Sequence, residues 1–160
     1  QGLRKLTRRH GALLIINDDV ILAAQSKADG VHIGRHDTGL ADARARLGPQ
    51  AIIGTSCYNQ FELARRAAEA GADYIAFGRF FPSRTKPDAV PAGIELLRRA
   101  KRELDIPTVA IGGITATNAA PLVSAGADML AVIDGLFAQP DIRATAGQFC
   151  RLFTHHRDRK

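Results

Sequence analysis

Short apolar runs alternate with helix-patterned segments along this chain. "ALLIIND" (12–18) leads to "VILAAQSKA" (20–28), "GVHIG" (30–34) to "LADARARLG" (40–48), and "AIIGTS" (51–56) to "QFELARRAAEAG" (60–71). "DYIAFG" (73–78) leads through a long connection to "IELLRRAKREL" (94–104), and "TVAIGG" (108–113) leads to "TNAAPLVSAG" (117–126). "MLAVIDG" (129–135) precedes a C-terminal segment around "RATAGQFCRLF" (143–153). This cadence predicts six strand–helix units and a parallel sheet. Near-continuous apolar strands such as "LLII" predict burial on both faces, as parallel sheets require.

The helix ends agree with this reading. "AEAGAD" and "VSAGAD" each place a glycine where a helix would stop in the left-handed conformation, and "KADGVHIG" is a looser copy. Polar residues and glycines gather where strands end: Asn17, Asp18, Gly34, Ser56, Gly78, Gly112, Gly113, Asp134 and Gly135. In parallel α/β folds the ligand site lies at those carboxyl ends. The glycine pair of "AIGGIT" and the "VIDG" of the next unit resemble the phosphate-binding loops after strands seven and eight of a (β/α)8 barrel. Counting back makes "ALLIIND" strand three, so the chain is read as six units of a TIM barrel, strands 3–8, without the first two. "LRKLTRRHGA" is then the end of the helix preceding strand three. A full barrel typically needs about 200 residues or more, against 160 here. A six-stranded doubly wound sheet is the alternative, but no G-x-G-x-x-G follows the first strand.

Composition narrows the partners. One domain over residues 1–160 is expected, with a frayed basic tail over 154–160. Hydrophobic residues are 46% and aromatics 6%, which suits helices packed on a sheet. The net charge of +6 sits largely at the ends, in Arg4, Lys5, Arg8 and Arg9 and in Arg151, Arg157, Arg159 and Lys160. No nucleic-acid motif or aromatic stacking platform accompanies it, so anionic small molecules are the expected partners rather than nucleic acid. Cys57 and Cys150 lack C-x-x-C spacing, and no apolar run approaches the ~18 residues of a membrane span. A soluble, cytoplasmic protein with no membrane partner is expected, with homo-oligomerisation open.

"FFPSRTKPDAVPAG" (80–93) is longer than the two to six residues usual for a strand-to-helix loop. With "LLIINDD", "GVHIGRHD", "IIGTS", "ADYIAFGRFFPSRTKPDA", "VAIGGIT" and "AGADMLAVIDGLF" in order, the chain resembles the thiamine-phosphate synthase family from Ala12 to about Phe153. The resemblance implies a barrel transferase that joins an aminopyrimidine diphosphate to a thiazole phosphate and releases pyrophosphate. The C–O bond would break largely before the thiazole nitrogen attacks. Mg²⁺ is the implied cofactor, with Asp18 and Asp37 matching its carboxylates. Asn17 matches a substrate contact, and Ser56 a serine holding the pyrophosphate or pyrimidine. Ser83 and Thr85 match hydroxyls on the thiazole phosphate, Lys86 the grip on departing pyrophosphate, and Gly113 a backbone donor. Ser56 and Lys86 are the implied catalytic pair, and Ile133 and Asp134 of "VIDG" fall beside the thiazole phosphate. Each residue has a plainer reading as well. Asp18, Asp37 or Ser56 alone would serve as a helix N-cap, and Gly113 as a turn glycine.

Departures from the family pattern suggest alternatives. The Arg/Lys-bearing second strand has no counterpart, so further residues upstream or a covering partner are expected. Arg35 and His36 stand where Gln and an acid are common, and Asp134 stands where the family often has Ser. Tyr58 replaces a His that related tautomerases use, which argues against tautomerase activity. The alternative function is a catalytically weak or inactive paralogue that binds the same phosphorylated ligands. A different phosphate-binding barrel, such as an aldolase, would want its lysine at a strand end, whereas Lys86 sits mid-loop. His32 reads as a packed strand residue.

Overall fold

The computed structural model describes residues 2–34, 39–83 and 89–157. The chain divides into two compact units, one of residues 1–56 and 62–75, the other of 57–61 and 76–160. The first unit begins with α1 (Gly2–Arg9), β1 (Ile15–Asn17), α2 (Val20–Ser26), β2 (Gly30–Ile33) and α3 (Leu40–Leu47). β3 (Ile52–Tyr58), α4 (Phe61–Glu69) and β4 (Tyr74–Phe77) contribute residues to both. The second continues through α5 (Glu95–Glu103), β5 (Thr108–Ile111), α6 (Ala120–Ser124), β6 (Met129–Ala131), α7 (Asp134–Phe137) and α8 (Ile142–Arg157).

All six predicted strands form, and the pairs β1–β2, β2–β3 and β5–β6 are parallel. In the first unit Val20, Ala23, Val31, Ile33, Ala43 and Ile53 make one buried cluster. Alanines on α2 and α3 let those helices lie close to the strands. Burial on both faces holds for β2, β4 and β5 but not for β1 or β6. Leu13 is 64% exposed and Met129 40%. Among the described residues β1 bonds to β2 and β6 to β5, so each has a neighbour on one side only. β3 also runs two residues beyond the predicted Ser56, because Cys57 is fully buried and the Tyr58 carbonyl accepts from Gly78 N at 3.0 Å.

The repeated "AD" before alternate strands has a specific job. Asp29 accepts from Leu14 N at 2.7 Å and returns its own N–H to the Leu14 carbonyl at 2.8 Å. Asp73 does the same with Ile53, at 2.7 and 2.8 Å, and Asp128 with Thr108, at 3.0 and 2.9 Å. Each carboxylate also takes a cation from the helix before the earlier strand: Arg4 of α1, Arg44 of α3 and Lys101 of α5. Three clamps of one design therefore close the amino ends of β1, β3 and β5. Gly71 and Gly126 take the left-handed conformation expected of them, at φ 84° and 109°. In the looser copy Lys27 takes that role at φ 52°. Gly30 is needed inside β2 instead, where a Cβ would lie 1.8 Å from the Ile52 carbonyl oxygen.

Candidate functional site

The carboxyl ends of β1, β2 and β3 bring together one set of residues in the first unit. Asn17 pairs in register with His32, and His32 with Gly54. Side chains on a strand repeat every two residues, so Ser56 emerges on the same face as Gly54, one step further along. Asp18 closes β1 with its N–H bonded to the His32 carbonyl at 2.7 Å and its backbone at φ +66°. That conformation is uncommon for a residue other than glycine and tends to mark functional positions. The capping of α2 falls to Asp19, whose Oδ1 accepts from Leu22 N at 2.8 Å. Asp18 is therefore not the cap. It lines an open groove of about 760 Å³ with Asp19, Val20, Ile21, Asp42, Ala45 and Arg46. Asp37 lies outside the described residues, and α3 begins after Gly39.

Ser56 is not a cap either, since α4 begins at Phe61. Its Oγ lies 2.9 Å from His32 Nε2, and His32 Nδ1 lies 3.0 Å from the Tyr74 hydroxyl. The rings of His32 and Tyr74 stack at 5.5 Å with 20° between their planes. His32 is thus half-buried and bonded through both nitrogens, more than a packed strand residue. Burial pushes the Tyr74 phenol up to about 12, so it keeps its proton at neutral pH. Burial also pushes the neighbouring Cys57 thiol up to about 12, which leaves it unreactive. Gly54 makes this arrangement fit, because a Cβ there would lie 1.8 Å from the Tyr74 ring. Sequence reasoning missed His32, Gly54 and Tyr74 as a group. The available signals were a mid-strand glycine, which often marks close approach, and a serine two residues after it.

The second unit assembles another set. The start of the long loop lies along the end of β5, with Phe80 N bonded to the Ile111 carbonyl and Phe81 N to that of Gly112, both at 3.1 Å. Gly112 and Gly113 adopt φ 93° and 63°. A Cβ on Gly113 would lie 2.2 Å from the Pro82 carbonyl oxygen, so glycine is required there by both conformation and space. Ser83 follows directly. Among the described residues nothing accepts from the Gly113 N–H, while its carbonyl accepts from Asn118 Nδ2 at 3.1 Å. Ile133 and Asp134 are exposed where α7 begins. The next residue, Gly135, has no room for a Cβ, which would lie 2.0 Å from the Ile114 carbonyl oxygen. The loops after β5 and β6 therefore touch.

Arg79 fixes the base of the long loop. Its N–H donates to the Val90 carbonyl at 3.3 Å, its carbonyl accepts from Ala92 N at 2.8 Å, and its Nε donates to the Ala89 carbonyl at 2.7 Å. Thr85 and Lys86 lie outside the described residues. Among the described residues no three His, Cys, Asp or Glu side chains cluster as a metal site, and no helix is long and apolar enough to cross a membrane.

The family model described as thiamine monophosphate synthase matches residues 1–136. The thiamine-phosphate synthase of Methylobacillus flagellatus is 60% identical over 152 residues, covering 95% of this chain and 72% of the relative. That of Thiobacillus denitrificans is 56% identical over 151 residues, covering 94% and 72%. The thiamine phosphate pyrophosphorylase of Pyrococcus furiosus superposes with a TM-score of 0.86 at 37% identity, covering 96% of this chain and 73% of that one. The 3-hexulose-6-phosphate synthase of Salmonella typhimurium, at 16% identity and a TM-score of 0.73, shares the fold alone.

Proposed function

We propose how this chain's residues divide one reaction, from the premise that it belongs to the thiamine-phosphate synthase family, a family of transferases with a TIM-barrel α/β fold. The reaction joins an aminopyrimidine diphosphate to a thiazole phosphate in the cytoplasm. The bond from the pyrimidine methylene carbon to the diphosphate oxygen breaks, and its electron pair leaves with pyrophosphate. The thiazole nitrogen lone pair then forms the new C–N bond.

The first unit's residues serve the pyrimidine diphosphate. Asn17 contacts this substrate, and Ser56 offers its hydroxyl to the diphosphate. Asp18 and Asp37 would hold Mg²⁺, which neutralises charge on the leaving oxygens when bound. The donor set suits that ion. Mg²⁺ takes hard oxygen ligands, usually one or two carboxylates plus substrate phosphates and water, rather than an all-protein cage. Asp18 presents a carboxylate at an exposed strand end that the α2 cap does not need.

The second unit's residues serve the thiazole phosphate. Ser83 and Thr85 supply hydroxyls, Gly113 its backbone N–H, and Ile133 and Asp134 flank the phosphate from the start of α7. Lys86 grips the departing pyrophosphate, since a cation on the leaving group lowers the barrier where charge develops. Arg79 clamps the loop that carries Thr85 and Lys86. The observation that carries this reading is the glycine pair, with Gly113 held against Pro82 and its N–H unmatched among the described residues.

Incubation with both substrates and Mg²⁺ should release pyrophosphate and form thiamine phosphate. Absence of both products refutes the reading. A second reading, binding without turnover, is favoured by Asp134, whose carboxylate would repel a phosphate. Calorimetric binding of thiazole phosphate without product would support it.

A further inference from the structure

Tyr74, Gly54, His32 and Ser56 form a connected group that the division of the reaction above uses only at its last member. The hydrogen-bond inventory of the group determines its polarity. A phenol has one proton and is the stronger donor of the pair it forms with a neutral imidazole, which has one N–H and one bare nitrogen. The Tyr74 hydroxyl is 3.0 Å from Nδ1 and the Ser56 hydroxyl 2.9 Å from Nε2. If Tyr74 donates to Nδ1, the imidazole proton sits on Nε2 and points at Ser56 Oγ. Ser56 then accepts from His32, and its own proton is turned outward, where it can meet an anion. The opposite tautomer would draw the serine proton inward to Nε2 and present lone pairs to that anion.

We propose that Tyr74 is a positioning residue that holds His32 as the Nε2–H tautomer and thereby turns the Ser56 hydroxyl proton outward, toward pyrophosphate. Gly54 belongs to the device because it gives the Tyr74 ring its place beside His32. The inference rests on the reading that Ser56 contacts pyrophosphate. It adds a distant residue acting through two hydrogen bonds.

The experiment uses the whole chain in three variants, Tyr74→Phe, Ser56→Ala and the double variant, with ¹⁵N-labelled histidine and inorganic pyrophosphate plus Mg²⁺ as the probe. At a pH where the imidazole is neutral, the His32 signals, assigned by their loss in His32→Gln, should show the proton on Nε2. Tyr74→Phe should raise the Nδ1–H fraction. Ser56→Ala should weaken pyrophosphate binding about tenfold or more, the effect of losing a hydrogen bond to a charged group. Tyr74→Phe should weaken it by about threefold or more in the wild-type background and have no further effect in the Ser56→Ala background. A wild-type proton on Nδ1, or an unchanged tautomer in Tyr74→Phe, overturns the proposal. So does a Tyr74→Phe effect that persists undiminished without the serine, since that marks Tyr74 as merely structural. Unchanged binding in Ser56→Ala removes the serine from the pyrophosphate site, and with it both the reading and the inference. A weakened Ser56→Ala with a failed tautomer result removes the inference alone.

Discussion

At the amino ends of β1, β3 and β5 a single device recurs, whereas their carboxyl ends carry different groups: Asn17 and Asp18, then Ser56 and Tyr58, then the Gly112–Gly113 pair. The amino ends are closed by paired carboxylates that satisfy backbone N–H groups and take a cation from a helix. These bonds tie each carboxylate to the backbone and to a helix. At the carboxyl ends Asp18 and Tyr58 sit at φ 66° and 55°, values that cost energy for side-chain-bearing residues. Repetition marks the end that holds the fold, and irregularity marks the end to which the proposed reaction is assigned, the end where strands of this barrel class generally carry their sites.

The comparison is tested most sharply by substituting each end. Asp18→Ala should cut turnover about a hundredfold or more, since a metal-held leaving group contributes several kcal/mol to the transition state. It should cost only about 1–2 kcal/mol of unfolding free energy, because alanine tolerates φ 66° less well than aspartate while no buried packing is lost. Unchanged kinetics at saturating Mg²⁺ would take Asp18 out of the metal site. Gly113→Ala should destabilise by about 2–4 kcal/mol, combining a left-handed Cβ with a clash against the Pro82 carbonyl. It should also weaken thiazole phosphate binding in calorimetry. Full affinity would show that a turn glycine is all that Gly113 provides.

An amino-end substitution should do the reverse. Asp73→Ala strips the partner from Ile53 N, on a residue with no exposed surface, and from Arg44 Nη2 at 2.6 Å. The cost should be about 1–2 kcal/mol in denaturant unfolding, since the ion pair itself is half-exposed and adds little. The kcat should stay at the wild-type value. A loss of turnover without loss of stability would break the division between the two ends.

What the sequence made legible follows this same division. Strand and helix order and the glycine stops come from local pattern, because apolar period and turn chemistry are local properties, whereas the roles expected of the carboxyl-end residues come from the family resemblance. The "AD" echoes were visible, but their function was not. Each clamp joins an aspartate to a residue at the start of a strand, 15 or 20 positions away, and to a cation 25 to 29 away. The tie between His32 and Tyr74 spans 42 positions for the same reason. Asp18 and Asp19 could not be told apart as caps from composition, since both are aspartates, and backbone conformation decides between them. The buried faces expected of β1 and β6 failed because an apolar run does not say how many neighbours a strand has.

The smallest expected effect distinguishes one clamp from the other two. Arg4 and Asp29 are the most sheltered pair, with side chains 15% and 23% exposed. The Arg4 guanidinium bonded to Asp29, with help from Leu14 N, holds that carboxyl below its ordinary 3.8. A carboxyl whose folded pKa is depressed contributes its full stability above the unfolded value and loses it as pH falls through the folded one. The clamp should therefore contribute undiminished from neutrality down to about pH 5 and fade below about pH 4. Asp29→Asn keeps the shape and removes the titration. Denaturant unfolding of both proteins across that range should show the variant less stable at pH 7, with the gap narrowing steadily as acid protonates Asp29 in the wild type. A gap of constant size would mean that Asp29 acts by shape and hydrogen bonding alone and that its charge contributes nothing.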